Sequence, residues 1–237
     1  MKIHFLWCVP RSLSTAFEKM VSHKKGFTVI SEPFLDHYKN FEKTQGSRIG
    51  NVYEDFVGKI DDANNEENVL IKEMGFHGLP FFSKISQIDA THSFLVRSPA
   101  KSIKSLEEVS NGYKFVQAGF DSLYLLYCQM REHGMAPKIV MDADDLETSP
   151  ILTCERFFSS IGCQFEASDL NWGVGAREEW FDRIEWHKRA ARTSRFERGT
   201  RCDSGVFKSY KSQYAYEYSL PFYNYLMEAR DGQKNLY

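Results

Sequence analysis

An α/β fold with a central, mostly parallel sheet of about five strands, flanked by helices, is what this sequence predicts, and three observations predict it. Short apolar or β-branched runs recur at residues 3–9, 27–30, 68–72, 92–97 and 138–141. Segments of helical period separate them, the alternation that a parallel sheet covered by helices requires. Each run also delivers charged or hydroxyl-bearing residues at its C-terminal end, where an open α/β sheet gathers its ligands.

The first run, ending at Val9, has the continuous apolar character of a strand buried on both faces. It breaks at Pro10, passes Arg11, Ser12, Leu13, Ser14 and Thr15, and resumes with Ala16, Phe17, Met20 and Val21 at helical spacing. A strand, a tight loop and a helix follow from this pattern. Free backbone N–H groups and the positive end of the helix dipole make such a corner an anion site. Arg11 adds a planar cation and the three hydroxyls add donors. Simple helix capping by a hydroxyl is the plainer use of the same residues. The glycine-rich pattern G-x-x-x-x-G-K-[ST] is absent, which argues against an ordinary ATP or GTP site.

The second strand, 27–30, exits into Ser31-Glu32-Pro33-Phe34. Pro33 disfavours the α region for Glu32, so that carboxylate sits on an extended exit near Arg11. Residues 43–67 are polar with one short amphipathic piece, and they read as a mobile insertion or lid. The third strand ends at Lys72, leaving Lys72 and His77 in its exit loop. The fourth hands Arg97 to a helix opened by Pro99, with Ser105 eight residues after Arg97. Residues 115–133 read as one long core helix. After the fifth strand come Asp142, Asp144 and Asp145, where helix capping by Asp144 or Asp145 is favoured over a metal site. A further amphipathic helix is expected at 150–163. Residues 172–201 gather three tryptophans and seven arginines and read as a flap able to close over an anion. A Tyr-rich terminal helix occupies 210–237.

Composition bounds the partners. The 237 residues suit a single domain, 1–237, able to bury a full core. A 42% hydrophobic content excludes wholesale disorder, and a net charge of −2 excludes broad nucleic-acid binding while leaving room for local basic pockets. Five cysteines (Cys8, Cys128, Cys154, Cys163, Cys202) lie far apart without Cys-x-x-Cys spacing. They read as free thiols in a reducing compartment. No run reaches transmembrane length. The expectation is a cytoplasmic protein with a small-molecule partner, no nucleic acid and no membrane. Its oligomeric state is left open, a homodimer included.

Two spacings together resemble the nucleotide apparatus of sulfotransferases that use 3′-phosphoadenylyl sulfate (PAPS): Pro10-Arg11-Ser12-Leu13-Ser14-Thr15 after one strand, and Arg97 with Ser105 after another. The stretch 140–146 resembles the family's late strand. Trp186-His187 with Ser194-Arg195-Phe196 resembles the closing segment of bacterial small-molecule members. The resemblance spans roughly residues 3–200 and implies a P-loop NTPase-like three-layer fold. It implies that Arg11, Ser12, Leu13, Ser14 and Thr15 cradle the 5′-phosphosulfate and that Arg97 and Ser105 hold the 3′-phosphate. Ser194, Arg195 and Arg198 would close over the nucleotide, and 3′,5′-ADP (PAP) would be the product. Leu13 stands where many members have glycine, and Ala16 where cytosolic members place the tryptophan that stacks on adenine. Arg198-Gly199 is only a partial echo of a conserved triplet in those members.

The implied chemistry is in-line sulfuryl transfer, with Arg11 meeting charge on the leaving oxygen and no metal required on electrostatic grounds. An acceptor hydroxyl or amine needs a proton acceptor. Glu32 is favoured because it follows the second strand directly, with His77 as the other candidate. A small-molecule kinase using ATP is the rival enzyme class, and a non-catalytic nucleotide-binding protein is the rival outside catalysis.

Overall fold

The computed structural model describes residues 1–45, 51–62, 67–110, 112–197 and 207–234. Five strands form one sheet: β1 (Lys2–Cys8), β2 (Phe27–Ser31), β3 (Asn68–Met74), β4 (Thr91–Val96) and β5 (Val140–Asp142). Their order is β2-β3-β1-β4-β5 and every pairing is parallel. After β1 the chain runs out to β2 and returns through β3. It then crosses to β4 on the other side of β1, so the ends of β1, β3 and β4 flank the crevice where such sheets bind ligands.

The longer helices are α1 (Ser14–Ser22), α2 (Leu35–Lys43) and α3 (Val52–Asp62), with the short α4 (Gly75–Gly78) and α5 (Phe82–Ile85) after β3. They continue as α6 (Pro99–Val109), α7 (Phe120–Glu132), α8 (Ala143–Thr148), α9 (Pro150–Ser160), α10 (Ile184–Arg192) and α11 (Tyr210–Lys234). One face of the sheet is covered by α1 and α9, whose Phe17 and Phe157 rings meet edge-on at 4.9 Å. The other carries α3 and α7, through Phe56 against Phe5 at 5.7 Å and Tyr127 against Phe94 at 5.2 Å.

Several expectations are corrected. The third strand does not stop at Lys72: all seven residues of β3 are buried, Lys72 and Glu73 included. Successive side chains of a strand point to opposite faces, so Lys72 reaches Glu18 of α1 while Glu73 reaches the Phe34 backbone on the other side. Charge does not end the strand because each charged group finds a partner. The expected helix over 115–133 is split by Gly119 at φ 74°, with a 3₁₀ turn before it and α7 after it. A Cβ at Gly119 would lie 3.0 Å from Pro10 Cδ, so the split lets α7 start directly against the first loop. Most of the described part of the expected lid is α3, which packs Val52, Phe56 and Ile60 into the core. Its residues contribute nothing to the wall of the main cavity. Residues 46–50 and 63–66 of that segment lie outside the described residues. The cap of α8 is Asp142, whose carboxylate accepts from the Asp144 N–H at 2.9 Å, and not Asp144 or Asp145. Asp144 pairs instead with Lys101 and Asp145 with Arg230. Among the described residues no group of three His, Cys, Asp or Glu side chains is arranged to hold a metal, and no helix is long and apolar enough to cross a membrane.

The terminal helix α11 passes through Pro221 and packs along α6, α7 and β5. Tyr223 donates to Asp142 Oδ2 at 2.9 Å, so the tail braces the short edge strand β5.

Candidate active site

The loop after β1 has the shape of an anion cradle. Arg11 and Leu13 adopt φ 62° and 63°, the left-handed region that favours glycine. In a non-glycine residue that conformation carries about 1–2 kcal/mol of strain. Leu13 thus keeps a glycine-type loop geometry without the glycine. It is also the N-cap of α1, and no side chain caps the first turn, whose amides remain open. Ser12 turns its buried hydroxyl inward: it donates to the Val9 carbonyl at 2.7 Å and braces the loop from within. Thr15 Oγ1 lies 3.3 Å from His187 Nδ1.

The two phosphate motifs meet. Arg11 Nε donates to Ser105 Oγ at 3.0 Å, and Arg97 Nη1 donates to the Arg11 carbonyl at 3.0 Å. Arg97 Nη2 is anchored on buried Glu147 at 2.7 Å. Arg97 Nε is buried with no partner among the described residues. Burial, followed by the neighbouring Arg97 and Arg189 guanidiniums, pushes Arg11 down to about 10. Cations gathered this closely are relieved by an anion.

At the end of β2, Glu32 has φ 48° and lies in a buried charge cluster. One oxygen accepts from Lys72 Nζ, and the other from Arg183 Nη1 at 2.7 Å. Lys72 is fully buried, not in an exit loop as expected, and also faces Glu18 at 3.5 Å. Burial by itself would raise the Glu32 carboxyl, but Lys72, His77 and Arg183 hold it well below the usual carboxylate range. His77 is not a surface loop residue. It is buried on α4, with Nδ1 2.8 Å from Glu73 Oε1.

Arg11, Leu13, Ser14, Thr15, Glu32, His77, Arg97, Ser105 and Arg195 share the wall of one cavity of about 280 Å³. Residues 183–197 supply its opposite side, including Trp186, His187 and Phe196. That segment is pinned to the fold at several points. Arg177 donates to the Val29 carbonyl, Trp180 Nε1 to Glu18 at 2.7 Å, and Arg11 to the Trp186 carbonyl at 2.7 Å. Ser194 is exposed and away from the wall. Arg198 lies outside the described residues.

Glu18 and Glu73 were not singled out from the sequence, and Arg183 and His187 were read only as parts of the flap and closing segment. Glu18 and Lys19 look like the solvated face of α1, yet α1 is sandwiched between the sheet and residues 180–193. Both are buried there, Lys19 donating to the Ala190 and Thr193 carbonyls. The one available signal was the i, i+4 spacing of Glu73 and His77.

The profile of the sulfotransferase domain family matches residues 1–231. The chain belongs to the sulfotransferase family. It thereby stands among the transferases. Solved sulfotransferase domains share its fold. The domain from the curacin biosynthetic pathway has a TM-score of 0.55 at 11% identity, covering 92% of this chain and 96% of that one. The domain from the Synechococcus PCC 7002 olefin synthase has a TM-score of 0.50 at 14% identity, covering 92% and 94%. The five-strand parallel sheet between helices is thus the P-loop NTPase-like fold of sulfotransferases. Two Arabidopsis thaliana proteins, branched-chain-amino-acid aminotransferase-like proteins 2 and 1, are 26% identical over 188 residues and 27% over 185. These matches take in 74% and 71% of this chain and 32% of each relative, so the chain spans about a third of their length.

Proposed function

We propose that this sulfotransferase-family chain moves a sulfuryl group from PAPS to a hydroxyl or amine of a small molecule, leaving 3′,5′-ADP. The observation that carries the reading is Arg97 Nε, a buried donor with no partner among the described residues, in a side chain that lines a cavity already crowded with cations. Burying such a donor unpaired costs about 1–3 kcal/mol, which a bound anionic oxygen recovers. PAPS supplies the transferable sulfuryl group and two phosphate-bearing ends. The open amides of α1, with Ser14 and Thr15, suit the 5′ end, and Arg97 with Ser105 suits the 3′-phosphate. Arg11 lies between them, where charge builds on the leaving oxygen. Trp186 and Phe196 offer aromatic faces for adenine, a role that Ala16 cannot fill. The absence of the lysine-bearing glycine-rich loop speaks against the ATP-dependent kinase.

For the proton acceptor, the sequence favours Glu32 and the geometry favours His77. Both Glu32 oxygens are engaged by cations that depress its basicity. His77 has Nδ1 anchored and Nε2 without a partner among the described residues. In this reading His77 takes the proton, and Glu32 with Lys72 and Arg183 forms an ionic clamp that shapes the acceptor end.

Thermal stabilisation by 3′,5′-ADP but not by ATP with magnesium is expected. Transfer of label from [³⁵S]PAPS to a panel of alcohols, phenols and amines then separates an enzyme from a nucleotide-binding protein. Stabilisation by ATP alone would overturn the reading.

A further inference from the structure

We infer that Glu73 is a positioning residue for the transfer: it fixes His77 as the Nδ1–H tautomer, so that the ring turns a lone pair on Nε2, not an N–H, toward the acceptor. The inference rests on the reading of His77 as proton acceptor. Glu73 is fully buried in β3. Its Oε1 accepts from the Met74 N–H at 2.8 Å and faces His77 Nδ1 at 2.8 Å, and its Oε2 accepts from the Phe34 N–H at 2.7 Å. Both Glu73 oxygens act as acceptors of backbone N–H groups, so the hydrogen of the imidazole contact is assigned to Nδ1.

The ring is fixed in direction as well. Phe76 lies 4.3 Å from it and Tyr38 5.2 Å, centroid to centroid. Among the described residues no lysine or arginine pairs with Glu73. Lys72, its neighbour in the strand, points to the opposite face. A buried carboxylate with two backbone donors and one imidazole is built to orient that imidazole. Its other oxygen holds the backbone two residues beyond Glu32, in the turn where Glu32 itself takes φ 48°. One side chain therefore sets the register of both groups that face the acceptor. The titratable groups facing His77 are Glu73 from β3, Glu32 from the β2 exit and Tyr38 from α2.

The test is a ¹H–¹⁵N long-range correlation spectrum of the full chain labelled at histidine, at pH 8 without ligand, with the His77 signals assigned by their loss in His77→Asn. The expected result is a protonated Nδ1 and an unprotonated Nε2; a protonated Nε2 overturns the inference. In Glu73→Gln, a single accepting oxygen faces three donors. The expected effect is a fall in kcat of about 10²-fold with the 3′,5′-ADP thermal shift unchanged. A kcat within about twofold of the parent overturns the inference too. Should that variant not fold, the tautomer of the parent chain still decides. Failure to transfer sulfate to any acceptor would sink the sulfotransferase reading while leaving the tautomer result standing.

Discussion

Lys72→Met keeps the stem of a fully buried side chain and deletes only its charge. The ammonium lies between two carboxylates whose side chains are 0% and 8% exposed, so its loss leaves two acids in the interior without their shared partner. Removing one member of a buried ion pair typically costs about 3–5 kcal/mol. Here the remaining bonds soften the loss. Arg183 still holds Glu32 at 2.7 Å, while Ser31 and Trp180 still hold Glu18 at 2.9 and 2.7 Å. The expected destabilisation is therefore at the low end, about 3 kcal/mol, or a Tm lower by roughly 6–12 °C for a chain of this size. Its pH dependence follows from Glu32. Burial favours the neutral carboxyl, yet Lys72, His77 and Arg183 hold the folded value below the unfolded one. That contribution is complete above the unfolded glutamate value and is lost as pH falls toward the folded value. In the variant, burial is opposed by one cation fewer, so Glu32 takes up its proton at a higher pH than in the parent. Urea titrations followed by circular dichroism at pH 8, 6 and 4 should show the gap between parent and variant narrowing with acid. A gap under about 1 kcal/mol at pH 8, or one constant down to pH 4, would refute the reasoning.

His77→Asn should lower kcat by about 10²–10⁴-fold and Glu32→Gln by less than about tenfold; the reverse ranking returns the proton to Glu32. Burial pushes His92 down to about 4, and its Nδ1 accepts from Trp7 Nε1 at 3.2 Å, so the folded state keeps it neutral. The unfolded chain then binds the extra proton first, and stability should fall by up to about 3 kcal/mol as pH drops from near 6.5 to near 4. A shallower loss in His92→Phe over the same urea series is the check. Gly119→Ala places a Cβ at φ 74° and 3.0 Å from Pro10. It should cost about 1–2 kcal/mol and weaken 3′,5′-ADP binding in a calorimetric titration, and unchanged affinity would show that α7 does not support the first loop.

The sheet was legible because each strand is an apolar run that hands a polar group to the same edge; pairing Arg97 with Ser105 as a phosphate site came from the family resemblance and not from the strands. Their contacts with Arg11 were not legible, since 86 and 94 positions separate Arg97 and Ser105 from it. Charge inside the core was the harder signal. Lys72 and Glu73 look like the end of a strand because ionised side chains seldom lie in one. They continue it only because Glu18, Glu32 and the Phe34 N–H arrive from elsewhere in the chain. The same holds for Glu18, whose helix face would be wet without residues 180–193 across it. Within 43–67 the amphipathic piece was legible, and it is α3, whose Phe56 and Ile60 join the core.

The first loop's guanidinium already has acceptors at home. Arg11 donates to a serine hydroxyl on α6 and to the Trp186 carbonyl, so it acts as a strut between two parts of the cavity wall. An arriving sulfate or phosphate oxygen must compete with both. Entry therefore exchanges bonds instead of simply adding them, and the net gain per contact is smaller than for an unengaged cation. Under the proposed function, departure of the product nucleotide would run the trade backwards, with Ser105 and the Trp186 carbonyl taking the guanidinium back.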